Sequence, residues 1–183
     1  MVGTVRLDVD SLISRDILDE MAAMARACPP GCFMEVGVYK GGSAVYLDEA
    51  ARAQSRELYL FDTFSGIPYR THERDSHQVG DFADGPGFRA IREMFPDAYV
   101  VQGIFPESAQ ALIMPPVAFV HLDVDQYKSY RDAICFLRPR MVEGGVMWFD
   151  DYDCLPSATL AVDEMLGAGA ARRAPCGKAY WRA

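Results

Sequence analysis

The stretch CFMEVGVYKGGSAVYLDEAARAQ, residues 32–54, decides the fold. It begins as a short apolar run that closes on Gly37, and Gly41-Gly42-Ser43 then opens a segment of helix-forming composition. A strand with no polar face, a glycine turn and a helix form the unit from which parallel sheets are built. The unit recurs. ELYLFDTF (57–64), AYVVQGI (98–104), VAFVHLDVD (117–125) and GGVMWFDD (144–151) all read as strands, with segments between them long enough for crossover helices. Tyr127, Tyr130, Ile134 and Leu137 share one helical face before Pro139 breaks the pattern. The expected fold is therefore α/β, doubly wound, with a mostly parallel sheet covered by helices on both faces.

Outward from this core, Ile13, Ile17, Met21 and Met24 form an apolar stripe that CPPG ends, so 1–31 reads as an N-terminal helical segment packed on an α/β core over 32–183. RRAPCGKAYWRA breaks the alternation and predicts a closing antiparallel hairpin about Cys176-Gly177. One irregular stretch, 68–87, carries His72, Glu73, Arg74, Asp75, His77, Asp81 and Asp84, and a loop of that length reads as a lid, a binding loop or disorder. No linker, repeat or low-complexity tract divides the 183 residues, and the expectation is a single domain over 1–183.

Half the residues are hydrophobic and the formal net charge is −8, a balance that disfavours nucleic acid or an anionic membrane as partner. Five cysteines without a CxxC pair read as reduced thiols, and no histidine lies near them at zinc-ligand spacing. MVGTVRLDVD lacks the basic and apolar regions of a leader, and no apolar run spans a bilayer. The expected location is cytoplasmic.

In open α/β sheets, ligands bind beyond the carboxyl ends of the strands. Here those ends carry Glu35 and Gly37; Asp62, Thr63 and Phe64; Gly103, Ile104 and Phe105; Asp123 and Asp125; and Asp150 and Asp151. In GVYKGGS, Tyr39 fills the position where a dinucleotide fingerprint has its second glycine, and its side chain would obstruct a pyrophosphate. An acidic residue, a glycine turn and Gly41-Gly42-Ser43 instead suit a ligand with a cationic, phosphate-free tail. Asp62, placed to accept from ribose hydroxyls, completes a pattern that points to S-adenosylmethionine. The plainer reading is that these glycines and acids form turns and helix caps.

Asp123 and Asp125 lie two apart at one strand end, and Asp150 and Asp151 end the next. Four carboxylates at one sheet edge repel one another unless a cation or proton offsets them, and oxygen-only donors favour a hard divalent ion, magnesium first. The alternative is that Asp125 caps the following helix and Asp150, Asp151 and Asp153 are solvated. His121 reads as a core histidine satisfied by a hydrogen bond. Trp148 and Trp181 read as core, with Trp181 near enough to the end to line a pocket.

FMEVGVYKGGSA, LYLFDTFSGIP, GDF, QGIFPES, HLDVDQYKSYRDAICFLRPRMVEGGVMWFDDYD and AYWR together resemble the macrocin, mycinamicin and novobiocin type of sugar O-methyltransferases. The resemblance runs from about residue 32 to the end, and LDxDxY with its GG…DDY partner is its specific part. It implies a class I methyltransferase fold with a seven-stranded sheet, S-adenosylmethionine as methyl donor and dependence on magnesium. It also implies that Asp123, Asp150 and Asp151 hold the metal and that Asp125 is the general base. Cofactor contacts are implied at Glu35, Gly37, Gly41, Ser43 and Asp62, and expected at Gly42, Thr63, Phe64, Gly103, Ile104, Phe105 and Asp123. The acceptor would be a small-molecule hydroxyl, on a sugar or glycosylated natural product, with homo-oligomerisation left open. Family members usually carry a longer N-terminal portion that closes the site, so acceptor recognition here would rest on the 68–87 loop, a partner subunit or a larger substrate. Two other readings stay open: a nucleotide-dependent oxidoreductase on the same architecture, disfavoured by Tyr39, and a cofactor- or metal-binding module without catalysis.

Overall fold

A computed structural model describes residues 9–183. The reading of the first residues as lacking a leader falls largely on 1–8 and lies outside the described residues. Among those described, no helix is long and apolar enough to cross a membrane.

The elements run α1 (Arg15–Arg26), β1 (Cys32–Val36), α2 (Gly42–Ala53), β2 (Leu58–Asp62), α3 (Gly87–Met94), β3 (Tyr99–Gln102), β4 (Val117–Leu122), α4 (Tyr127–Leu137), β5 (Met141–Phe149), α5 (Pro156–Leu166), β6 (Arg172–Arg173) and β7 (Ala179–Arg182). They build one seven-stranded sheet in the order β3-β2-β1-β4-β5-β7-β6. β1 to β5 are parallel, while β7 runs antiparallel to β5 and pairs with β6 as the expected hairpin. The winding reverses between β1 and β4, so a crevice opens above the carboxyl ends of those two strands.

Each face of the sheet buries its own core. Leu18 and Met21 of α1, Leu47 of α2 and Ile91 of α3 pack on Phe33, Leu60, Phe119 and Trp148. Tyr130 and Ile134 of α4 and Val162 of α5 pack on Met34, Phe61, Val120 and Phe149. Period-2 alternation thus sends neighbouring residues of one strand to opposite cores. Each fully buried aliphatic or aromatic side chain stabilises the fold by roughly 1.5–3 kcal/mol relative to exposure. Trp148 is fully buried, and Trp181 packs partly buried on the second core, away from the cleft.

Two expectations need correction. The β3-to-β4 connection holds no α-helix, only a 3-10 turn at Glu107–Ala109. Pro106 and Pro115-Pro116 bracket it, and proline both removes a helix donor and drives the preceding residue extended. β5 starts at Met141 rather than at Gly144. Gly144 adopts φ 78°, and the pairing with β4 shifts register between Val117 and Phe119, so the glycines accommodate an irregularity inside the strand instead of preceding it.

Candidate active site

The crevice is a cleft of about 460 Å3 lined by the ends of β1, β2, β4 and β5, by the 68–87 loop and by Leu12 and Ile13 of the N-terminal segment. Its first wall is the β1 turn. Gly37 has φ 91°, and a Cβ there would come within 1.8 Å of the Asp123 carbonyl oxygen, so glycine is required where β1 and β4 approach. Tyr39 takes φ 48°, packs edge-on against Phe82 and donates to Asp84 at 2.9 Å.

Asp62, at the end of β2, ties this turn down. Its Oδ2 accepts from the Val38 and Tyr39 amides at 2.7 and 2.9 Å, and Oδ1 accepts from the Phe64 amide at 2.6 Å. The carboxylate therefore stays at the cleft wall with lone-pair capacity to spare. Thr63, Gly103, Ile104, Phe105 and Asp123 also line the cleft. Glu35, Gly41, Gly42, Ser43 and Phe64 do not. Gly42 lies under Ser11, whose Cβ would be 2.5 Å from a Cβ at that position. Glu35 is fully buried and meets His121 Nδ1 at 2.7 Å.

The second wall is acidic. Carboxylate oxygens of Asp123, Asp125 and Asp151 lie within 4.8 Å of one another. Backbone hydrogen bonds set this convergence, with the Asp123 amide donating to Val36 O and the Asp150 amide to Leu122 O. Asp151 Oδ2 accepts from the Asp125 amide at 3.1 Å and lies 2.9 Å from the Tyr130 hydroxyl. Asp125 has φ 56°, and the Ser157 hydroxyl donates to its carbonyl at 2.8 Å, so this strained residue is held from both sides. It does not cap α4. The Tyr127 amide donates instead to Asp75 from the loop, at 2.8 Å.

Burial, with repulsion from Asp151 and Asp150, raises Asp123 well above the usual carboxyl range and Asp125 to about 8. Burial and Asp150 also raise Asp151. Asp150 behaves oppositely: burial is outweighed by His121 and Lys178, which hold it below the usual value. Burial disfavours charge on His121, yet the flanking Asp150 and Glu35 carboxylates outweigh it and raise the ring to about 10. Asp150 is thus set apart from its three neighbours. Its Oδ1 lies 2.8 Å from Lys178 Nζ and 3.9 Å from His121 Nε2.

Three contributors had no individual role in the sequence reading, which named Asp75 and His77 only as members of the 68–87 loop and did not name Lys178. Lys178 comes from the turn before β7. His77 places Nε2 3.5 Å from Asp125 Oδ1 and Nδ1 3.5 Å from Asp81 Oδ2. Asp75, only 1% exposed, accepts from the Thr71 and His72 amides at 3.0 and 2.9 Å as well as from Tyr127. The loop is therefore anchored on the first turn of α4. Nothing in the sequence separates Asp75 from the other acids of the loop, because its burial arises only when the loop packs on α4.

A family model described as macrocin O-methyltransferase (TylF) matches residues 1–170. A mycinamicin III 3''-O-methyltransferase from Micromonospora griseorubida is 27% identical over 153 residues, covering 74% of this chain and 60% of the relative. A demethyldecarbamoylnovobiocin O-methyltransferase from Streptomyces niveus is 27% identical over 180 residues, covering 90% of this chain and 66% of the relative. The chain thus spans under two thirds of the length of these relatives. Among solved structures, the O-methyltransferase NovP superposes with TM-score 0.76 at 23% identity, over 89% of this chain and 79% of that one. The calicheamicin methyltransferase CalS11 gives 0.76 at 22% identity, over 91% and 77%. At these identities the superpositions speak for the fold.

Proposed function

The chain belongs to the macrocin O-methyltransferase family, and from that premise we propose that it transfers a methyl group from S-adenosylmethionine to a hydroxyl of a sugar or glycosylated small molecule, assisted by magnesium. One observation carries the reading. A turn tethered by Asp62 and a cluster of partly buried carboxylates face each other across one cleft at the point where the sheet reverses its winding.

The donor set fits both groups. Asp62 keeps lone pairs at the cleft wall, as a ribose diol requires, and the wall beyond it is acidic, which favours a sulfonium over a phosphate. Asp123 and Asp151 offer oxygens toward one cleft, with Asp150 and Asp125 beside them, a set suited to a hard divalent ion. When bound, S-adenosylmethionine supplies an electrophilic methyl group and magnesium supplies positive charge beside the acceptor hydroxyl.

The chain's own residues do the rest. Asp125 takes the hydroxyl proton; burial and repulsion from Asp151 and Asp150 raise its carboxyl above the usual range, which makes it a better proton acceptor than a free carboxylate. Its backbone, fixed by Asp151 and Ser157, keeps the carboxylate aimed into the cleft. The 68–87 loop, held to α4 by Asp75, brings Tyr69, His77 and Phe82 to the wall of the same space. The relatives named above act on mycinamicin III and demethyldecarbamoylnovobiocin, both small molecules, and this motivates a sugar-bearing acceptor here.

The test is methyl transfer from S-adenosylmethionine to a panel of glycosylated acceptors, followed by mass spectrometry. Excess chelator is expected to abolish transfer and added magnesium to restore it. Undiminished transfer in chelator would remove the cation from the reaction.

A further inference from the structure

Three consecutive residues beyond β4 are each met by the 68–87 loop. The Tyr127 amide donates to Asp75 at 2.8 Å, Gln126 Nε2 donates to the His77 carbonyl at 3.1 Å, and Asp125 Oδ1 faces His77 Nε2 at 3.5 Å. Gln126 is fully buried, so the backbone of His77 is held by a side chain shielded from water. The other ring nitrogen, Nδ1, lies 3.5 Å from Asp81 Oδ2, an oxygen that also accepts from the Gln78 amide at 2.8 Å. Phe82 packs edge-on against the same ring at 5.0 Å and meets Tyr39 at 5.6 Å, and Asp62 holds the Tyr39 amide. A line of contacts thus runs from the β1 turn through the loop to Asp125.

Asp125 needs such support. Its φ of 56° is left-handed, and the bonds from Asp151 and Ser157 hold its backbone, whereas His77 meets its carboxylate. A separation of 3.5 Å is longer than a formed hydrogen bond, and contacts of this kind tighten when substrate is bound. We propose that His77 is a positioning residue for the general base: its Nε2–H holds Asp125 Oδ1 and leaves the second oxygen to take the acceptor's proton. The proposal rests on the reading of Asp125 as that base. Because the loop carries His77, the loop that walls the acceptor's space also aims the group that deprotonates the acceptor.

Two measurements test this. The first needs no turnover: ring-nitrogen NMR spectra of His72, His77 and His121 in chelator-treated protein. His77 Nε2 is expected to carry its proton and to shift in Asp125→Ala, while His72 stays in place; an unmoved His77 overturns the proposal. The second compares His77→Gln, whose amide nitrogen can replace Nε2, with His77→Asn, whose amide replaces Nδ1 and reaches only toward Asp81. His77→Gln is expected to keep kcat within about threefold of the wild type, and His77→Asn to lose about tenfold or more with acceptor KM nearly unchanged. Equal turnover in the two variants overturns the proposal, and so does a rise in KM alone, which would make His77 a wall of the acceptor site and nothing more. If either variant fails to fold, the ring spectra decide. Wild type that transfers no methyl group sinks the proposed function, whereas the spectra still show whether His77 holds Asp125.

Discussion

At the scale of single residues, the site divides its carboxylates by environment. Asp125 and Asp150 are both aspartates at strand ends, yet burial among like charges raises one to about 8 while Lys178 and His121 hold the other low. If Asp125 is the base, Asp125→Asn loses on the order of 100-fold or more in turnover with affinity for S-adenosylhomocysteine unchanged. Rapid-quench turnover beside calorimetry separates the two, and normal turnover would remove Asp125 from the chemistry. The carboxylate pairs could be read from LDVD and WFDD because strand ends are where an α/β sheet puts its chemistry. The position of Glu35 could not. Its side chain lies in a lateral row with His121 on the neighbouring strand, and that pairing depends on register, which a sequence does not print.

At the scale of elements, the 68–87 loop was identifiable by length and composition, but its anchoring was not. Asp75 meets the Tyr127 amide across 52 positions of chain. Removing a buried carboxylate that satisfies three amides should cost on the order of 3 kcal/mol. Asp75→Ala is therefore expected to lower the urea midpoint and to open the loop to trypsin at Arg70 and Arg74. Wild-type resistance at those sites would show that the loop holds without its clasp. The strands and most helices were legible because their apolar periodicity survives at any register, as in Leu18, Met21, Ala22 and Ala25 of α1. The β3-to-β4 connection misled because length allowed a helix that its prolines forbid.

At the scale of the whole molecule, an acidic site built into a chain of net charge −8 ties stability to pH. Folding favours the protonated form of Asp125, whose pKa rises from 3.8 to about 8, so its contribution is complete in acid and is lost as pH rises toward 8. His121, raised from 6.5 to about 10, contributes fully below its usual value and is lost as pH rises through 10. Both act in the same direction. Chelator-treated protein should thus show a thermal midpoint that falls between about pH 6 and pH 9, and excess magnesium should flatten the fall by offsetting the same charges. A midpoint that climbs over that interval would contradict the charge balance drawn here.

Every step of the proposed chemistry presupposes that the cleft takes an S-adenosyl compound, and calorimetric titration with S-adenosylhomocysteine measures this directly, whatever the acceptor proves to be. The account predicts roughly micromolar binding that persists in chelator and weakens by about 1.5–3 kcal/mol in Asp62→Ala, with no heat from NADH. Absence of binding, or equal affinity in the wild type and Asp62→Ala, would contradict it.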